Sequence, residues 1–195
     1  AATPVSAEQE RQQALQQLEK SLSNKAPEFR AVYANKTVVI KPTQLSGPLL
    51  KEILDLASAA IDLGLPPSVF GNVKAAGSTR SDALGLMTGS GWLLIGKQWK
   101  GATTEKRLHT LIHELAHAVD NAAGNISDGS AWAKAHKELE NFYANSQKKS
   151  GHPFGYPFAP QYRSKVRIRP ESFAQAFAYY FTNPADLQKS APEAY

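Results

Sequence analysis

The 195-residue sequence contains no cysteine and no hydrophobic run long enough to cross a membrane. The absence of cysteine excludes disulfide scaffolds, thiolate metal sites, iron–sulfur clusters and a cysteine nucleophile. A membrane-spanning helix needs roughly 20 consecutive apolar residues, and the nearest candidate runs here carry charges or are broken by glycine. Because 42% of the residues are hydrophobic, the chain can bury a core of its own. We therefore expect a soluble globular protein without a membrane span.

Acidic residues are fewer than basic ones, at 17 against 22, which gives a net charge of +5. No nucleic-acid-binding motif accompanies the basic residues, so we expect no nucleic-acid partner. A solvated basic surface is the simplest interpretation, and attraction to an anionic cell-wall polymer or an acidic protein substrate is the alternative. The one concentration of basic residues consists of Lys148, Lys149, Arg163, Lys165, Arg167 and Arg169.

The N-terminal segment, AATPVS, begins with alanine and is typical of a mature N-terminus from which a signal peptide has been removed. It predicts a secreted or periplasmic protein. Residues 7–22 are rich in helix formers, with leucines at helical spacing. We expect residues 1–25 to form an N-terminal helical arm of a single domain that spans residues 1–195.

Hydrophobic periodicity and turn residues predict an α+β fold. A small mixed sheet is expected to contain an apolar strand and a hairpin, followed by a mostly helical C-terminal part. Pro170 is predicted to occupy the first position of the last major helix. One short strand is expected at Val32-Tyr33 and Lys36–Ile40, the hairpin at 83–88 and 92–96, and the helices at 49–63, 105–123, 131–146 and 171–181.

The segment most informative about chemistry is HELAH at residues 113–117, an HExxH motif within the predicted helix 105–123. Residues four apart lie on one face of a helix, so the imidazoles of His113 and His117 can bind one metal ion. Glu114 can take a proton from a water molecule that this metal holds. The motif predicts one zinc ion with Glu114 as general base. The weaker alternative is two ordinary helix histidines and a surface glutamate.

A zinc site requires a third protein ligand, and the sequence offers several carboxylates. Ala123 occupies the position where an extended motif would place a third histidine or aspartate, so we expect the ligand on a later helix. Glu171 is favoured because it begins the apolar segment ESFAQAFAYYF, where a carboxylate needs a partner. Its alternative role is a first-turn residue favoured by the helix dipole. The other candidates are Asp128, Glu138, Glu140, Asp186 and Glu193.

HELAHAVDNAAG followed by ESFAQAFAYYF resembles the catalytic domain of anthrax lethal factor and its relatives, which include the secreted Pro-Pro endopeptidases of clostridia. The likeness covers residues 83–190. It implies a zincin-like metalloprotease domain of the gluzincin type, in which His113, His117 and Glu171 bind zinc and Glu114 is the general base.

The resemblance also implies a tyrosine in the loop before the third ligand, whose hydroxyl stabilises the oxyanion of the reaction. This sequence departs from the pattern, because Ser164 occupies the expected position. Tyr162 is the nearest tyrosine and the favoured candidate, with Tyr156 and His152 as alternatives.

These observations predict a secreted zinc metalloendopeptidase, a monomer that hydrolyses protein or peptide substrates. Selectivity for proline-containing sites is suggested by the relatives alone. The substrate is expected to lie along the edge strand before the active helix, formed either by residues 83–88 or by Trp92–Ile95, with Trp92, Leu93 and Leu94 as substrate-binding residues.

The alternative functions are a zinc amidase or peptidase acting on cell-wall peptide and a non-catalytic zinc-binding domain. An intact Glu114 argues against the latter.

Three other polar residues lie near the motif or on the helix that follows it. His109 is one turn before His113, and we expect it to pack near the site rather than bind the metal. Asp120 is expected either to orient an imidazole or to cap a neighbouring loop. His136 is predicted to lie on a helix surface.

Overall fold

The computed structural model describes the backbone of residues 29–33 and 36–40, residue 45, and residues 47–73, 75–89, 91–146 and 168–195. The predicted arm at residues 1–25 lies outside these ranges. The three candidates for the oxyanion-stabilising residue, His152, Tyr156 and Tyr162, also lie outside these ranges. So does Ser164, which occupies the position where the family pattern has a tyrosine.

The chain divides into two compact units, residues 1–111 and 112–195, and the boundary falls inside one helix. The expectation of a single domain over residues 1–195 stays a prediction.

The first unit contains two small sheets. Strands β1 (Phe29–Tyr33) and β2 (Lys36–Ile40) pair antiparallel. Strands β3 (Ala75–Ser78), β4 (Gly85–Met87) and β5 (Trp92–Ile95) form a mixed sheet in the order β3-β5-β4. Strand β5 pairs parallel with β3 and antiparallel with β4. The predicted hairpin is therefore confirmed, whereas the segment predicted as one strand forms the two strands β1 and β2 in a sheet of their own.

The central position of β5 corrects the expectation that Trp92–Ile95 is an edge strand. Both sides of β5 are hydrogen-bonded to neighbouring strands, and Leu93 is buried. The other expected segment contains β4, which lies at an edge of the described sheet and carries Leu86 at 43% exposure. A substrate strand needs an edge to pair with, so β4 replaces β5 as the candidate. Substrate binding by Trp92, Leu93 and Leu94 stays a prediction.

Helix α1 (Gly47–Asp62) contributes seven buried apolar residues to the core of the first unit. It was predicted at residues 49–63. Gly64 follows it with a φ of +104°, a left-handed conformation that glycine adopts readily after a helix ends. The buried apolar residues of α1 are Leu50, Ile53, Leu54, Leu56, Ala57, Ala60 and Ile61.

Helix α2 (Thr104–Ala122) carries the HExxH motif and contributes residues to both units. The Thr103 hydroxyl oxygen accepts a hydrogen bond from the Lys106 amide at 3.3 Å, which caps the first turn. Gly124 follows the last turn with a φ of +80°. The predicted helix is confirmed. One face is fully buried and consists of Leu111, Ile112, Leu115 and Ala116.

The second unit is helical and contains, after α2, helices α3 (Ser130–Ser146), α4 (Ile168–Thr182) and α5 (Pro184–Ser190). Pro170 is the third residue of α4 rather than the first, which the helix tolerates because its first amides have no intrahelical acceptor. Helix α5 was not predicted from the sequence; it is seven residues long and buries only Leu187. A buried apolar cluster of the second unit contains Trp132, Ala135, Leu139, Ala176, Leu187 and Ala191.

The described residues are mostly helical with a small mixed sheet, which agrees with the α+β expectation. Among these residues, no helix combines the length and the apolar character that a membrane span requires.

Candidate metal centre

Two helices of the second unit bring two imidazoles and one carboxylate together. His113 and His117 lie one turn apart on α2, with ring centroids 5.0 Å apart and ring planes at 82°. Glu171, in the first turn of α4, places one carboxylate oxygen 3.3 Å from His113 Nε2 and the other 3.6 Å from His117 Nε2. One potential ligand atom from each residue lies within 4.8 Å of the others. The group can therefore hold one metal ion.

The charges of this group are coupled. Burial alone would lower the pKa of His113, but the hydrogen bond to Glu171 and the charges of Glu114 and Glu171 outweigh it and raise that pKa. Burial alone would raise the pKa of Glu171, but hydrogen bonds and positive charge from His113 and His117 lower it well below its usual range. The site thus favours an anionic carboxylate facing the imidazoles.

Gln175 fixes the orientation of His113. Its side-chain oxygen lies 3.1 Å from His113 Nδ1, and both side chains are buried. Because an amide oxygen only accepts hydrogen bonds, Nδ1 is the donor. In the neutral imidazole, Nε2 then presents its lone pair on the side where Glu171 lies, as a metal ligand requires. The sequence patterns did not predict a role for Gln175, although its position four residues after Glu171 places both on one face of α4.

Glu114 is buried, with 7% of its surface exposed, next to His113 in sequence. Its charge contributes to raising the pKa of His113. The structure therefore places a buried acidic side chain close enough to His113 to interact with its charge.

Asp120 caps a neighbouring turn, the second of its two predicted roles. Its carboxylate accepts hydrogen bonds from the Ser127 amide at 2.8 Å and from the Ser127 hydroxyl at 2.6 Å, and both residues are buried. His109 is half-buried one turn before His113, and the metal-ligand group found among the described residues does not include it.

His136 corrects the expectation of a surface position. It is half-buried, and its Nδ1 lies 2.8 Å from the Ser172 hydroxyl. The helical periodicity of α3 gave little indication of this, because His136 stands between the buried Ala135 and the exposed Lys137.

The carboxylates that competed with Glu171 as third ligand lie elsewhere. Among the described residues, only His113, His117 and Glu171 form a group with metal-ligand geometry. Four of these competing carboxylates have other polar partners in the second unit. Glu138 accepts a hydrogen bond from the Glu193 amide at 2.8 Å, and the Glu193 carboxylate pairs with Lys134 at 2.8 Å. Glu140 pairs with Lys137 at 2.7 Å, and Asp186 accepts a hydrogen bond from Asn183 at 2.7 Å.

The fold and the site define an α+β protein with a candidate His-His-Glu metal centre. The family model described as anthrax toxin lethal factor, N- and C-terminal domain, matches residues 73–195, and the chain belongs to this family. The match contains both helices that carry the ligand group and the whole segment, residues 83–190, in which the sequence resemblance lies. No curated protein and no solved structure matches the chain.

Proposed function

We propose that this protein is a zinc-dependent metalloendopeptidase with a zincin-like fold. The observation that carries the proposal is the meeting of Glu171 on α4 with both histidines of the HExxH motif on α2, at 3.3 and 3.6 Å. The fold thus brings Glu171, which follows the two histidines by 54 and 58 positions, to the distance from them that one shared metal ion needs.

The donor set suits zinc. Two imidazole nitrogens and one carboxylate oxygen form a ligand set known from catalytic zinc sites, in which three protein ligands leave a fourth position open. A bound zinc ion supplies a Lewis acid that lowers the pKa of a water ligand to near 7. The protein's own contribution is to hold the ligands, and Gln175 supports this through His113 Nδ1.

Glu114 is proposed as the general base. Its carboxylate would accept a proton from the attacking water and return it to the leaving amine. Its burial and its charge interaction with His113 support this role. We keep Tyr162, which lies outside the described residues, as the proposed donor to the oxyanion. Strand β4 is the proposed edge against which a peptide substrate extends.

The proposal includes a protein or peptide substrate, a monomeric enzyme and a secreted or periplasmic location. Membership in the lethal factor family supports the substrate class by analogy. We further propose that the enzyme is selective for proline-containing cleavage sites.

A peptide-library assay on the zinc-loaded protein tests the activity. We expect cleavage by the wild type and a loss of at least about a hundredfold in Glu114→Gln, which keeps the size of the side chain but cannot accept the proton. Glu140→Gln is the matched control, because Glu140 pairs with Lys137 on α3, and it should cleave like the wild type. Wild-type rates in Glu114→Gln would contradict the assigned base. Digestion of purified cell walls without cleavage of any peptide would favour the amidase alternative.

A further inference from the structure

The residue that follows the third ligand is at the centre of a buried hydrogen-bond network. The Ser172 hydroxyl donates to the Arg169 carbonyl at 2.9 Å. It lies 3.3 Å from Trp132 Nε1 and 2.8 Å from His136 Nδ1. Ser172 is 1% exposed, so water does not replace these partners. The network comprises Ser172, Trp132, His136 and the Arg169 carbonyl.

The hydrogen-bonding capacity of Ser172 is completely used in this network. A hydroxyl has one proton and two lone pairs. The proton goes to the Arg169 carbonyl, and the lone pairs accept from the indole N–H of Trp132 and from the imidazole of His136. His136 therefore carries its proton on Nδ1. Burial lowers the pKa of His136, which favours this neutral donor form.

The network joins the first turn of α4 to α3. Trp132 Nε1 also lies 3.3 Å from the Arg169 carbonyl, and the Trp132 ring packs edge-on against Phe173 at 5.2 Å. The first turn of a helix has amides without intrahelical acceptors and frays more readily than the middle. Contacts from α3 on both sides of Glu171 thus restrict the segment that carries its carboxylate.

We propose that Ser172, His136 and Trp132 are positioning residues for the third metal ligand. By holding the first turn of α4 against α3, they keep the Glu171 carboxylate within reach of both histidines of α2. This inference rests on the proposed metal centre, but it concerns residues for which neither the motif nor the family resemblance assigns a role.

The test compares the zinc affinity of the full-length protein with that of Ser172→Ala and His136→Ala, by competition with a chromogenic chelator. Loss of supporting contacts behind metal ligands typically weakens metal binding 10- to 100-fold, and we expect about tenfold here because the contacts act through the backbone. Ser58→Ala is the matched control: Ser58 is also a buried serine that bonds to a backbone carbonyl, that of Leu54 on α1 in the first unit. Its zinc affinity should equal that of the wild type.

Two further variants separate positioning from general stability. His136→Asn keeps an N–H donor close to the position of Nδ1, and we expect it to recover most of the lost affinity. Trp132→Phe keeps an aromatic ring against Phe173 but removes the N–H donor to Ser172, so we expect it to weaken zinc binding. This variant tests the network independently if Ser172→Ala does not fold. The visible spectrum of the cobalt-loaded protein should change in the impaired variants, since it reports ligand geometry.

Wild-type zinc affinity and an unchanged cobalt spectrum in folded His136→Ala and Trp132→Phe would overturn the inference and leave the proposed metal centre intact. A lower unfolding temperature of the zinc-free protein with unchanged zinc affinity would do the same, because it would show a purely structural role. A wild-type protein that binds no zinc would overturn the proposed function together with the inference.

Discussion

At the scale of single residues, His113 lies between two side chains of α4. Glu171 is 3.3 Å from its Nε2 and Gln175 is 3.1 Å from its Nδ1. One side chain is thus a potential co-ligand, and the other sets the direction in which the ring presents its lone pair. Neither contact is local in sequence, and both come from one face of one helix.

Gln175→Ala is predicted to lower zinc affinity by about 10- to 100-fold, because it removes the acceptor that holds the His113 ring and its tautomer. Gln175→Glu should bind zinc at least as well as the wild type, since a carboxylate accepts the same hydrogen bond. Chelator competition measures both. Equal zinc affinity in Gln175→Ala and the wild type would show that the ring needs no such support.

The coupled charges predict how zinc binding depends on pH. In the metal-free protein the pKa of His113 lies above 6.5 and that of Glu171 lies below 4.5. Zinc binds the deprotonated imidazole, so binding displaces a proton from His113 and weakens as the pH falls below its raised pKa. Calorimetric titrations at pH 6.5 in two buffers of different ionisation enthalpy should show this proton release. A binding enthalpy independent of the buffer would contradict the prediction.

The same shifts fix the pH range in which this pair stabilises the metal-free fold. The contribution of His113 is complete below pH 6.5, the value in the unfolded chain, and is lost as the pH rises through its raised pKa. The contribution of Glu171 is complete above pH 4.5 and is lost as the pH falls through its lowered pKa. Both contributions are complete only between about pH 4.5 and 6.5.

At the scale of elements, the turn after α2 depends on one buried carboxylate. Asp120 accepts two hydrogen bonds from Ser127, and Ser127 is fully buried. We predict that Asp120→Ala lowers the free energy of unfolding by about 2 kcal/mol, the typical value for hydrogen bonds to a charged group. Urea denaturation of the zinc-free protein measures this. The exposed Asp128 provides the control, and Asp128→Ala should change the free energy little. Equal midpoints for Asp120→Ala and the wild type would contradict the role of Asp120.

Most elements could be predicted from the sequence because their signals are local. The HExxH helix was expected at residues 105–123 and is found at Thr104–Ala122, since a threonine cap and a terminal glycine define it. Strand order was not local information: Trp92–Ile95 was recognised as a strand but not as the centre of its sheet. Its uninterrupted apolar run was the available signal, because a strand paired on both sides is buried more completely than an edge strand.

The candidate site shows the same limit. The HExxH spacing places His113 and His117 on one helix face without any tertiary information. Gln175 and His136 could not be identified in this way, because their partners lie on other helices, 62 and 36 positions away. Sequence periodicity reports which face of a helix is buried, but it does not report which polar groups meet there.

At the scale of the whole molecule, the family match over residues 73–195 extends ten residues before the segment, 83–190, that the two motifs marked. The candidate ligands lie entirely in the second unit, at residues 112–195. We therefore expect metal binding to depend on the second unit. The peptidase activity and its selectivity stay proposals, since they depend also on how a substrate is held.

The most direct test of the His113–His117–Glu171 metal centre is to measure metal content by mass spectrometry. The measurement compares purified wild type with Glu171→Ala and with the control Glu140→Ala. The protein is purified without a nickel column and refilled with zinc before excess metal is removed. We predict about one zinc per chain in the wild type and in Glu140→Ala, and a strongly reduced content in Glu171→Ala. Retention of zinc by Glu171→Ala would assign the third ligand to another residue. A wild-type protein that holds no zinc after refilling would contradict the metal centre itself.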